Sequence, residues 1–292
     1  MKEQFNKGLL LTSIGSFWWG FIGVLYFEYV SFIGHIELVV HRCIWTTVML
    51  ILTTSILSKW QLVLKIIKNK KTLIYLFFSG FFIFINWSVW IFAVATERII
   101  DASFGYFIMP IISVLFGYIF FKEKLNKKRF FSIILVLISI LILIFFNLKS
   151  LPWVGLIVAL SWAFYNLIRK KIEVNTDLGL LIESMFIFPF ALITFYIIAK
   201  NNLNDFSLSS PSLNIILILA GPMTVIPLFL YVRGVELIGL GPTGMVFYIT
   251  PTLQFILGYF YYNEEFSIVK FVSFIIIWFA VIIYLKDLYE TN

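Results

Sequence analysis

The chain has 292 residues, 61% of them apolar and 13% charged, with a formal net charge of +7 and one cysteine, Cys43. Soluble globular chains are about 45–50% apolar and about 25% charged, so this composition excludes a soluble domain. One cysteine also excludes an intrachain disulfide, and the basic residues lie in short loops between apolar runs, which excludes a nucleic-acid-binding domain and reads as membrane-orienting charge.

The apolar runs are long and continuous, not alternating, so they predict spanning helices and not a β-barrel. In chain order the spans are 7–28, 36–57, 72–95, 102–121, 128–147, 151–169, 178–198, 212–233, 241–262 and 267–285. The first follows Lys2 and Lys7 as a signal peptide would. It is too long for an h-region and lacks an A-x-A site, so it is expected to persist as a helix. The longest linkers, near 58–71 and 199–211, are too short for a folded domain.

If the N-terminus faces the cytoplasm, the inner segments carry Lys2 and Lys7, the lysines from Lys59 to Lys71, the cluster from Lys122 to Arg129, Arg169 to Lys171, Arg233 and Lys286. The outer segments carry only Arg98, Lys149, Lys200 and Lys270, and Arg42 lies within a span. This asymmetry predicts both termini inside.

The chain also resembles itself. A shift of 141 residues carries Ile108 onto Ile249, Pro110 onto Pro251, Gly117 onto Gly258, Tyr118 onto Tyr259 and Glu123 onto Glu264, with Phe107 falling on Tyr248. Gly8 and Phe17-Trp18 align with Gly155 and Phe164-Tyr165, and His41 with Glu183. The expected fold is an all-α integral membrane protein with ten transmembrane helices, divided into repeats at 1–147 and 148–292. Five spans per repeat is an odd number, so the second repeat is inverted. The corner Glu97-Arg98 to Asp101 then faces outside and its partner, Arg233 to Gly241, faces inside.

Intramembrane polar residues are costly and mark candidate sites. Arg42 reads as an anion contact, as a partner for Glu37, or as a side chain snorkelling to the surface. Glu183 and His41 read as proton carriers or as hydrogen-bonded packing residues. Asn86 and Trp90 share one helix face. With Tyr106, Tyr165 and Tyr248 they form the candidate wall of an amphipathic cavity; packing accounts for each of them singly. Pro110 and Pro251 are candidate kinks at equivalent positions. No H-E-x-x-H, G-x-S-x-G, P-loop or G-x-G-x-x-G motif is present, and two histidines and one cysteine leave little for a metal site. No enzyme activity, cofactor or metal is therefore expected.

Several runs resemble the RarD family, in the EamA branch of the drug/metabolite transporter superfamily. They are Glu37-x-x-x-His41-Arg42-x-x-Trp45, Asn86-Trp87, Ala102-Ser103-x-Gly105-Tyr106-Phe107-Ile108-x-Pro110, Leu167-Ile168-Arg169-Lys170, Gly221-Pro222-x-Thr224-x-x-Pro227-Leu228 and Tyr248-Ile249-x-Pro251-Thr252. The resemblance implies ten helices in inverted repeats, a bacterial cytoplasmic membrane, and a central cavity lined mainly by helices 1, 3, 4, 6, 8 and 9. The chain departs from it at Met109 and Phe247, where members often carry Asn and Gln. The expected function is a permease moving a small metabolite or drug-like molecule by alternating access. Its expected partners are that substrate and the lipid bilayer; His41, Arg42 and Glu183 are candidates for gating or for coupling to protons. The alternative is a membrane sensor or scaffold that has the fold without flux.

Overall fold

Backbone groups buried in hydrocarbon must bond within their own segment, and the apolar runs do fold as helices. The computed structural model describes residues 2–95, 99–147, 153–207, 209–261 and 268–291, without the side chains of 94–95, 99–104 and 147. Glu97, Arg98, Lys149 and Glu264, which entered the corner, charge and repeat arguments, lie outside the described residues.

The first run forms α1 (Lys2–Phe17), a π-helical turn (Trp18–Ile22) and α2 (Gly23–Tyr29). Then follow α3 (His35–Ile56), α4 (Trp60–Lys68), α5 (Lys70–Ala95), α6 (Ile99–Phe121), α7 (Lys127–Asn147), α8 (Trp153–Lys171) and α9 (Thr176–Lys200). The chain ends with α10 (Pro211–Ile218), α11 (Ala220–Ile238), α12 (Leu240–Val246), α13 (Ile249–Phe260) and α14 (Ile268–Thr291). No strand occurs among the described residues. Among the described residues, seven segments are long and apolar enough to cross a membrane: Lys2–Tyr29, His35–Ile56, Lys70–Ala93, Lys127–Phe146, Thr176–Lys200, Pro211–Ile238 and Ile268–Thr291. Gly105–Phe121 is a shorter apolar helix. Side chains such as Phe145, Ile56 and Phe260 are largely exposed on the outside, as a lipid-facing surface requires.

Two local features depart from the expected spans. The 58–71 linker contains α4, whose Val63 is buried while Leu62, Leu64, Lys65 and Lys68 face outward. The span at 241–262 is interrupted at Phe247-Tyr248. Pro251 explains the interruption: it has no N–H for the Phe247 carbonyl four residues back. That carbonyl takes the Thr250 amide instead, at 2.9 Å. Pro110 sits inside α6, which continues through it.

The helices pack by exchange between the two halves of the chain. α1 lies along α11, and α8 lies along α5 and α6; α3 meets α9 and α11, α7 meets α14, and α12 meets α6. Small residues allow the closest approaches. A Cβ on Gly105 would lie 2.5 Å from the Gly155 carbonyl oxygen, and one on Gly221 would lie 2.5 Å from that of Trp45. The largest apolar cluster joins α3, α5, α8, α9 and α11 and includes Cys43, which is 2% exposed. A second cluster joins α6, α7, α12 and α14.

Candidate functional site

The helices surround a partly open cavity. Its wall is formed by Trp19, Gly23, Phe27, Arg42, Asn86, Trp87, Trp90, Tyr106, Trp162, Phe247, Thr250 and Gln254. Seven of these are aromatic, one is a cation and none is a carboxylate. The wall draws on the ends of α1–α2 and α5 and on the beginnings of α3 and α6, so the cavity is displaced away from the N-terminus of α1.

The aromatic floor is continuous. Trp19 meets Trp162 edge-on with centroids 5.0 Å apart, and Phe247 lies 6.1 Å from each. Tyr231 packs 5.4 Å from Phe247 and 5.3 Å from Trp162. Tyr106 stands 5.8 Å from Phe247. The π-helical turn supplies Trp19. It is braced by Gly20, where a Cβ would lie 2.9 Å from the Thr250 carbonyl oxygen. Such widened turns recur at functional sites.

Arg42 lies about two turns into α3, roughly 10 Å from its start, and is 6% exposed. Its Nε donates to Thr224 Oγ1 at 2.9 Å, and its guanidinium lies over Trp87 at 4.6 Å and Phe27 at 5.2 Å. Glu37 is not its partner. That carboxylate accepts the amides of Asp205 and Phe206 and lies 3.3 Å from His41 Nε2. His41 accepts the Trp45 indole N–H at Nδ1, 3.1 Å away, which assigns the Nε2–H tautomer and turns Nε2 to Glu37. His41 therefore lies in a closed network beside Phe195 and Phe206, not on the cavity wall.

Of the five expected wall residues, Asn86, Trp90 and Tyr106 line the cavity. The Asn86 amide donates to the Val158 carbonyl at 2.9 Å and lies 3.3 Å from Ser161 Oγ. Tyr165 and Tyr248 are fully buried elsewhere. Tyr165 donates toward Glu183 Oε2 at 3.4 Å, and Tyr248 donates to the Phe107 carbonyl at 2.9 Å. Of the expected helices, the eighth contributes no wall residue but holds Arg42 through Thr224; the second contributes Arg42 itself. Met109 is core, whereas Phe247 is floor.

On the other side of that floor lies a buried charge network. Glu183 accepts Ser79 Oγ at 2.6 Å, and its Oε1 lies 3.5 Å from Arg169 Nη1. Arg169 also lies 3.8 Å from Glu236 Oε1, and Glu236 pairs with Arg233 at 2.6 Å and accepts Thr176 Oγ1 at 2.7 Å. A Cβ on Gly179 would overlap the Arg169 guanidinium. Glu183 also lines a narrower pocket that shares Trp87 with the main cavity. Farther toward the same end, Glu123 accepts the amides of Leu240 and Gly241 at 2.8 and 2.9 Å. It caps α12 just after Gly239, whose φ is +91°. Burial pushes the Glu123 carboxyl above its ordinary range, opposed by those amides and by Lys170 and Arg129.

The sequence profile of the EamA-like transporter family matches residues 6–145 and again 150–286. Protein RarD of Escherichia coli K12 is 33% identical over 99% of this chain and 97% of its own length. An uncharacterized transporter of Bacillus subtilis, YojE, is 31% identical over 96% and 93%. A chloramphenicol-sensitive protein RarD of Pseudomonas aeruginosa is 23% identical over 85% and 83%. One crystal structure superimposes with a TM-score of 0.72 over 97% of this chain and 98% of the other at 13% identity, which shows a shared fold.

Proposed function

Because the chain belongs to the EamA-like transporter family, as a RarD-type member of the drug/metabolite transporter superfamily, we propose that it carries one class of small organic molecule across the bacterial cytoplasmic membrane by alternating access. The observation that carries this reading is the cavity itself: an aromatic chamber within the helix bundle, built by elements from both halves of the chain.

Ten crossings in two inverted five-helix repeats, 1–147 and 148–292, are part of the proposal, with both termini in the cytoplasm. The count adds α6, α8 and the interrupted α12–α13 pair to the seven long segments. The exchanged packing supports the repeats. The first helix of each half lies along the third helix of the other, as α1 does on α11 and α8 on α5. The family profile also matches each half separately.

In this orientation the cavity opens toward the outside. The floor of Trp19, Trp162 and Phe247 is the inner barrier, reinforced by the Arg169 network and the Glu123 cap. Rocking the two halves would break these contacts and close the outer side around Arg42. Glu183 is the proposed coupling carboxyl, since its ion-pair partner Arg169 and its donors Ser79 and Tyr165 come from α8 and α5.

Flux into proteoliposomes tests the reading, using a panel of amino acids, nucleosides, S-adenosylmethionine and chloramphenicol with and without a proton gradient. Saturable flux of one class is expected, accelerated by the gradient, and Glu183→Gln should abolish the acceleration. Folded protein that moves nothing would overturn transport in favour of a sensor or scaffold.

A further inference from the structure

Resting on the transport reading, we propose that the cavity takes an organic monoanion with a planar, largely apolar body, and that Arg42 receives its carboxylate. Arg42 has no carboxylate partner among the described residues. The acid on its own helix, Glu37, is saturated by His41 and two backbone amides, and Glu183 is paired with Arg169. No acid is found among the described residues of the cavity wall. A desolvated cation without a counter-charge costs several kcal/mol, so the site is poised for a ligand that brings the negative charge with it.

The geometry narrows the ligand further. Thr224 takes the Nε–H of Arg42, which leaves the four N–H groups of Nη1 and Nη2. Trp87 and Phe27 lie over the guanidinium, so a ligand reaches it most readily at the edge, in plane. That approach suits the bidentate fork that arginine offers to a carboxylate. One guanidinium neutralises one charge, which disfavours phosphate monoesters and dicarboxylates. The body of a ligand held this way would meet Trp90, Tyr106 and the Trp19–Trp162–Phe247 floor, flat apolar faces suited to a ring.

The test is calorimetric titration of the protein in nanodiscs with three matched sets. Each set holds an acid, its neutral amide and an amine of the same skeleton, built on phenylacetate, indole-3-acetate and 4-hydroxybenzoate. At least one acid should bind ten-fold or more tighter than its amide, and the amines should not bind. In Arg42→Gln the acid and amide should come within about two-fold of each other, the loss expected for a charge-assisted bond. Arg42→Lys, which keeps the charge but loses the fork, should fall between and guards against misfolding of the glutamine variant. Amides that equal the acids, an acid preference that survives Arg42→Gln, or failure of every acid to bind would overturn the proposal. Acids that bind while neither they nor any solute of the earlier panel crosses proteoliposomes would overturn transport and leave the binding site standing. Saturable flux of a neutral or cationic solute, with no acid bound, would do the reverse.

Discussion

Tyr248 donates its hydroxyl to the carbonyl of Phe107, and the two residues are 141 positions apart, the offset that carries Pro110 onto Pro251. Their neighbours Phe247 and Tyr106 share the same offset, and their rings are 5.8 Å apart. Equivalent positions touch each other only where they lie beside the axis that would relate the two halves. The self-similarity of the sequence and the floor of the cavity thus meet at one place.

Removing that hydrogen bond gives the first prediction. Tyr248→Phe should cost about 1 kcal/mol, the ordinary net worth of a buried hydrogen bond. Because the hydroxyl does not line the cavity, ligand affinity should change less than two-fold. Thermal unfolding in nanodiscs measures the first quantity and titration the second.

Glu123 holds the first amides of α12 from the other half of the chain. Glu123→Ala should free them, raising hydrogen exchange at Leu240 and Gly241 on the order of ten-fold or more, as loss of charge-assisted bonds of about 1.5–3 kcal/mol implies. Amides in the middle of α14 should keep their protection. Unchanged exchange at Leu240 would mean that Glu123 is not the restraint.

The Arg169–Glu183 pair should behave as a buried ion pair. Arg169→Met strands a carboxylate and should cost about 3–5 kcal/mol, while Arg169→Met combined with Glu183→Leu should recover much of that. A double-mutant cycle on unfolding temperatures measures the coupling, and strictly additive losses would remove the pair as a unit.

Backbone contact between α6 and α8 supplies a fourth test. Gly105→Ala would press a methyl onto the Gly155 carbonyl and should cost about 1–3 kcal/mol through overpacking. Gly34→Ala meets nothing within 4 Å and should stay within about 0.5 kcal/mol. Melting curves of the two variants separate crowding from a general intolerance of alanine.

The cavity was partly legible in the sequence because polar residues inside an apolar run must face something other than lipid. That reasoning found Arg42 and Asn86, and helical spacing added Trp90. It also drew in Tyr165 and Tyr248, whose hydroxyls find partners within the protein; sequence alone does not distinguish a tyrosine facing a void from one facing a carboxylate. Trp19 was hidden because a π-helical turn shifts the register that a 3.6-residue period assumes. Phe247, like the candidate Tyr106, lies four residues before a proline, the position whose carbonyl that proline deprives of its donor, and this signal could have singled it out. Charge asymmetry places Arg169 at the inner end of its span, but it lies four residues after Tyr165 and on the same helix face, which turns both toward Glu183.

Cys43 sits in the core between α3 and its neighbours, closed to water. A cysteine introduced at the rim of the cavity or beside Glu123 would then be the one thiol that a water-borne maleimide meets. Its labelling rate could be read as the opening of that side alone, without first removing the native residue.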